Sequence, residues 1–321
     1  IPVRSDGTGL KRLLLVAAVA ALALGGRASV AHAAPWCGTA ATADRPQVVA
    51  GPFVHVVYAI PSDGADRSVE FAQRMNDDAD QIAAWWATQD PTRTPRFDVT
   101  PFACGNQPDL TVVRLSQSAA QLQPFPSRGL AIVAGLSSAS LGSGFGKYVV
   151  YYDGPADEPA ICGEGGGDPT SGPSYAIVYT SACTEVPTAA VAAHELLHAL
   201  GALPYGAPHD CPEPSSGHPC DSEQDLLYPF ASGAPLAESM LDVGRDDYYG
   251  HSGAQFDLQD SIWLQHVGDQ ATLAVVARGG GRVVSLQPGP VCAATCSVEW
   301  DRGTQVLLEA VPANGKRFVR W

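Results

Sequence analysis

Residues 187–200 read PTAAVAAHELLHAL and are followed by Gly201. Ala and Leu are the strongest helix formers, Pro187 suits a first-turn position and Gly201 suits the residue just past a helix end. The segment therefore predicts one helix with defined ends. On it His194 and His198 stand four apart, so both imidazoles leave the same face about one turn apart. Glu195 sits beside the first of them. Any fold open to this chain must carry that helix and accommodate its charged face.

Two nitrogens at that spacing can reach one Zn²⁺ at about 2.0–2.1 Å. Glu195 is then close enough to take a proton from water on the metal without binding the metal itself. Zinc lowers the pKa of such a water from about 15.7 toward about 7. The carboxylate accepts the proton as the water attacks a carbonyl, and passes it to the leaving amine. The pattern points to Zn²⁺-dependent hydrolysis with Glu195 as general base.

The eight cysteines (37, 104, 162, 183, 211, 220, 292, 296) are even in number, and none has C-x-x-C spacing. They follow an export-like leader: basic Arg4, Lys11 and Arg12, an apolar run Leu13–Leu24, and an Ala31-His32-Ala33 cleavage site. Twelve apolar residues fall short of the roughly 20 that span a bilayer. Residues 1–33 read as a signal peptide, the mature protein as secreted and extracellular, without stable membrane insertion. The cysteines then read as disulfides, expected to pair in chain order because each neighbouring pair flanks one local loop. Removing the leader leaves 15 basic against 32 acidic residues, changing the formal charge from −14 to −17. A surface this acidic repels nucleic acid and anionic lipid.

Along the chain, Phe53–Ile60 predicts a strand, Arg67–Gln89 an amphipathic helix, and Arg96–Phe102, Asp109–Leu115, Leu130–Ala134, Lys147–Tyr152 and Tyr175–Thr180 further strands. Gly163–Gly167 reads as a Gly-rich loop, and Gln255–Val267 as a short closing helix. From Ala271 the pattern becomes short alternating strands. The expected fold class is α/β: an α+β catalytic domain over 34–268, with a mixed sheet and an active-site helix, then a small all-β module over 271–321. The chain opens on Ile1 and stops at Trp321 in mid-unit, which reads as part of a longer protein.

The run from His194 to Gly201 matches the H-E-x-x-H-x-x-G start of the metzincin motif, and the chain resembles that clan. There a third His or Asp follows the glycine by three residues; here Pro204 stands at that place and cannot bind metal. The longer stretch, with Gly206-Ala207-Pro208-His209, Gly217-His218, Cys220-Asp221 and Asp225-Leu226-Leu227-Tyr228, resembles secreted actinobacterial metallopeptidases of a metzincin-like type. Leu227 stands where that family has its Met-turn methionine. Val54–Ala65, Thr94–Asp98 and Asp246-Asp247-Tyr248-Tyr249 are also similar, so the resemblance covers roughly residues 50–266. It implies a zincin-like fold and a protein or peptide substrate. Gly280…Val283…Ser285, Cys292…Cys296, Gly303…Val306…Ala310 and Gly315…Phe318…Trp321 resemble bacterial β-repeat modules, which implies a spacer or adhesive role.

The third metal ligand stays open at this point. His209 is placed first, as nearest the helix end and the smallest detour from the metzincin path; His218 is the alternative, with Asp221 behind both. Asp225 is either an acceptor for a ligand imidazole or a turn cap. Tyr228, Tyr248 and Tyr249 are candidates for an oxyanion donor. Asp242, Asp246 and Asp247 form a candidate structural Ca²⁺ cluster without EF-hand spacing. His55, His251 and His266 read as structural. Two other readings remain: a secreted binding or adhesion protein whose zinc is structural and closed by four ligands, and a zinc hydrolase of non-peptide amides.

Overall fold

The computed structural model describes residues 35–124, 127–158, 160–202 and 205–321. The leader, with His32, lies outside the described residues, as does Pro204. In chain order the elements are β1 (Phe53–Ile60), α1 (Ser68–Gln89), β2 (Arg93–Pro95), β3 (Val99–Phe102), β4 (Gly105–Pro108), β5 (Leu110–Arg114), α2 (Ala119–Leu122), α3 (Ser127–Ser138), β6 (Gly146–Tyr152), β7 (Gly163–Gly166), β8 (Ser174–Tyr179) and α4 (Thr188–Leu200). After β9 (Leu264–His266) come β10 (Gln270–Val276), β11 (Gly281–Ser285), β12 (Thr295–Asp301) and β13 (Leu308–Pro312). The class is mixed α/β.

The main sheet has the order β5-β1-β6-β8-β7, with four parallel strands and β7 antiparallel at the edge. Both faces are covered, which is why β1, β6 and β8 read as nearly unbroken apolar runs. Alternate residues go to opposite sides. Val54, Val56, Tyr58 and Ile60 join Met75, Ile82 and Trp86 of α1 and Leu196 and Leu200 of α4 in one core. Val57, Ala59, Tyr148, Val150 and Tyr152 join Ile132 and Leu136 of α3 in the other. The sheet thus lies between α1 with α4 and α3.

Three expectations change. Leu130–Ala134 is not a strand but the middle of α3. Arg128, Ile132 and Leu136, four apart, are all fully buried there, the period of a helix laid on a sheet. The Gly-rich run 163–166 is not a loop but β7, paired with β8. Gln255–Val267 forms a 3₁₀ turn at Leu258–Asp260 followed by β9 rather than a helix. The four disulfides pair in chain order: 37–104, 162–183, 211–220 and 292–296.

Strands β10 with β12 and β11 with β13 form two antiparallel pairs around Val275, Val283, Val298 and Trp300. Ala50 belongs to the same core, and Arg96 Nη2 donates to Asp301 at 2.7 Å. The described residues cluster as one compact unit.

Candidate metal centre

Helix α4 ends as its sequence dictates. Gly201 takes φ +112°, a left-handed conformation that glycine adopts without a Cβ penalty. Its N–H bonds back to the helix, and the N–H of Ala202 donates to Leu197 O at 2.9 Å. That turn also brings Ala202 O to within 2.7 Å of His198 Nδ1. The helix cap therefore orients the His198 ring.

The other two rings are held in the same way. His194 Nδ1 lies 2.7 Å from Leu226 O, and His218 Nδ1 lies 3.1 Å from Ser215 O. A carbonyl accepts only, so each Nδ1 carries the hydrogen and each Nε2 presents a lone pair. The Nε2 atoms of His198 and His218 nevertheless face each other at 3.1 Å. Two lone pairs at that distance require something positive between them. A shared proton is disfavoured: burial pushes His194 down to about 4, helped by the His218 charge, and lowers His198 and His218 as well. Two nitrogens at about 2.0–2.1 Å from one tetrahedral ion would lie roughly 3.3 Å apart. Ring centroids of the three histidines are 4.8–5.4 Å apart, and their ligand atoms lie within 4.8 Å of one another. Three neutral imidazoles with bare Nε2 atoms fit a borderline-soft divalent ion such as zinc.

The structure brings His218, not His209, to the helical pair. Residues 209–220 double back as a hairpin pinned by Cys211–Cys220, with Cys211 N donating to His218 O and Cys220 N to His209 O. His209 is held elsewhere: its N–H donates to Asp247 Oδ1 at 2.9 Å and its Nδ1 lies 3.1 Å from Oδ2. With Asp246 and Asp247 it forms a separate group, with Asp221 4.0 Å from its ring. The carboxylates raise the His209 pKa, the Asp247 hydrogen bond most.

Asp225 acts as a turn cap. Its oxygens accept from Leu227 N, Val243 N and Tyr248 OH at 2.8–2.9 Å, and Leu226 O, not Asp225, takes the imidazole. Leu227 is fully buried on that turn. Tyr248 and Tyr249 are buried, the latter donating to Asp90 Oδ2 at 2.7 Å; only Tyr228 of the three tyrosines lines the cleft. Asp242 accepts backbone N–H groups from residues 247–249, so its oxygens are committed to the loop. His55 is buried between Asp98, 3.2 Å from Nδ1, and Thr111, 2.8 Å from Nε2.

Glu195 is 7% exposed. Burial pushes its carboxyl up to about 8, and the nearby Glu164 adds to this; a cation beside it would act in the opposite sense. Glu164 is the residue that sequence reasoning missed. It lies on β7, whose glycines let α4 come close: a Cβ on Gly165 would sit 2.5 Å from Glu195 O and 2.9 Å from His198 Cβ. Tyr179 OH donates to Glu164 Oε1. The three histidines, Glu195 and Glu164 open on a cleft of about 750 Å³.

No protein-family model matches this sequence, and no curated protein matches it. Among solved structures, wild-type OgpA from Akkermansia muciniphila is similar at 13% identity and a TM-score of 0.36, over 85% of this chain and 88% of that chain. A catalytically inactive OgpA in complex with an O-glycopeptide, glycodrosocin, is similar at 11% identity and a TM-score of 0.34, over 84% and 86%. Likeness at this level carries no argument about activity.

Proposed function

We propose that the chain is a secreted zinc-dependent endopeptidase, with its catalytic domain over 34–268 and an accessory β module over 271–321. The observation that carries the reading is the convergence of three carbonyl-oriented imidazoles beside a buried carboxylate on an open cleft. His194, His198 and His218 would hold the ion. Bound zinc supplies Lewis acidity, which makes a water acidic enough to lose its proton near neutral pH.

Glu195 accepts that proton on its carboxylate and returns it to the leaving nitrogen of the peptide. Its position one residue from His194, on the cleft side of α4, supports this role. The carbonyls of Ala202, Leu226 and Ser215 hold the three rings in one tautomer, which the buried surroundings keep neutral. Strand β7 pairs only with β8 among the described residues. Its other edge offers unpaired backbone groups to an extended peptide beside Glu195. Tyr228 lines the same cleft as a candidate donor to the developing oxyanion.

A structural site closed by protein would need a fourth donor. The described group has three, and it faces the cleft. That favours hydrolysis over the binding or adhesion reading. The test is casein cleavage by wild type and by Glu195→Gln, with zinc content measured on both. The expected outcome is a fall in rate of at least about 100-fold in the variant with zinc retained. Equal rates would remove Glu195 from the reaction.

A further inference from the structure

The cleft is uneven in charge and shape. Glu164, Glu195, Glu223 and Asp225 line it, and no Lys or Arg does among the described residues. Two of those acids are already committed: Glu195 to the chemistry proposed above and Asp225 to its turn. That leaves Glu164 and the exposed Glu223 to meet a ligand. Glu164 is half-buried on β7; no Lys or Arg nitrogen among the described residues lies within 4.0 Å of it, and Arg128 acts on it only from further away. Tyr179 OH takes one of its oxygens, and Arg128, over the Tyr179 ring at 4.2 Å, spends its Nη1 on Asp157 and Gln123 O. A second set of lining residues is apolar. Phe230 is 70% exposed and meets Tyr228 edge-on at 6.0 Å between centroids, and Leu226 and Val191 line the same cleft.

We infer that the cleft selects a peptide segment in which a basic side chain, taken by Glu164, stands close to an apolar side chain, taken by the Tyr228–Phe230 wall. The inference rests on the peptidase reading and names its substrate class. A lysine or arginine side chain would bring a positive charge closer to Glu164 than Arg128 does, in a recess where water screens it less than at the open surface. An exposed phenylalanine on a cleft wall gains by covering itself with ligand carbon. An acidic peptide meets the like charge of Glu164 and Glu223.

Binding separates the inference from the chemistry. Three fluorescent peptides with one phenylalanine, differing only by Lys, Gln or Glu at a neighbouring position, are titrated against zinc-loaded Glu195→Gln. The Lys peptide is expected to bind about fivefold more tightly than the Gln peptide, and the Glu peptide more weakly still. Adding Glu164→Gln should shrink the Lys-to-Gln ratio, whereas Glu299→Gln, an exposed position on β12 giving the same net charge, should not. Equal binding of all three peptides, no binding at all, or equal effects of the two substitutions would overturn the inference. Cleavage of the same peptides by wild type reads the peptidase proposal separately. Cleavage with no charge ranking leaves that proposal standing and removes this one.

Discussion

Gly165 is where the edge strand β7 and helix α4 touch. An added Cβ would fall 2.5 Å from Glu195 O and 2.8 Å from Glu195 Oε2, and neither the helix backbone nor the buried carboxylate can retreat far. Gly165→Ala should therefore cost about 1–3 kcal/mol by overpacking. Gly166→Ala, where nothing lies within 4 Å of the new atom, should stay within about 0.5 kcal/mol. Urea unfolding of the two variants measures the contrast, and equal midpoints would mean that the contact is soft. At this scale the local geometry of the candidate site could be read from the sequence. His194, Glu195 and His198 are legible because one helical turn fixes their spacing. His218 was legible only as the alternative to His209, and Glu164 not at all, because the 211–220 hairpin and the pairing of β7 with β8 bring them beside α4 from outside the helix. The acceptors of the three Nδ1 hydrogens are backbone carbonyls, which leave no mark in residue identity.

Among the elements, α1 and α4 are tied to the sheet by Asp78. Tyr151 OH of β6 donates to its carboxylate at 3.0 Å, and Thr188 at the start of α4 also bonds to it. Burial pushes its pKa up from 3.8 to about 6, against those hydrogen bonds. A carboxyl raised in the folded state binds its proton more tightly there than in the unfolded chain. Its contribution is thus fully present below pH 3.8 and is lost as pH rises through about 6, by about 3 kcal/mol in all. Asp78→Asn should gain on wild type through that window and hold a constant difference above it. Denaturant titrations from about pH 3.5 to about pH 8, which bracket both values, check this; a pH-independent difference would contradict it. The misread elements have physical causes at the same scale. The run LAIVA is too short to distinguish a strand from a buried helix face until Arg128 and Leu136 extend its period. Glycines marked β7 as a loop, whereas they are there because a helix presses on the strand.

Over the whole molecule, four disulfides suit an oxidising compartment, and no helix among the described residues is long and apolar enough to cross a membrane. The mixed α/β class was legible from the alternation of apolar runs. That the β-rich end shares a core residue, Ala50, with the segment before β1 was not, because nothing local to residues 271–321 encodes it. An ion that binds only the folded chain stabilises the whole of it by mass action, about 4 kcal/mol at a thousand times its dissociation constant. Chelation should therefore lower the melting temperature by several degrees, and added zinc should restore it. A melting temperature indifferent to both would mean that the three imidazoles hold nothing.

The central claim is that His194, His198 and His218 together hold one metal ion, and zinc stoichiometry measured by elemental analysis tests it most directly. Wild type and His209→Ala should each retain one zinc per chain after dialysis, while His218→Ala, with a bare ligand position, should lose at least about 100-fold in affinity and come out empty. Zinc lost from His209→Ala but kept by His218→Ala would contradict the account.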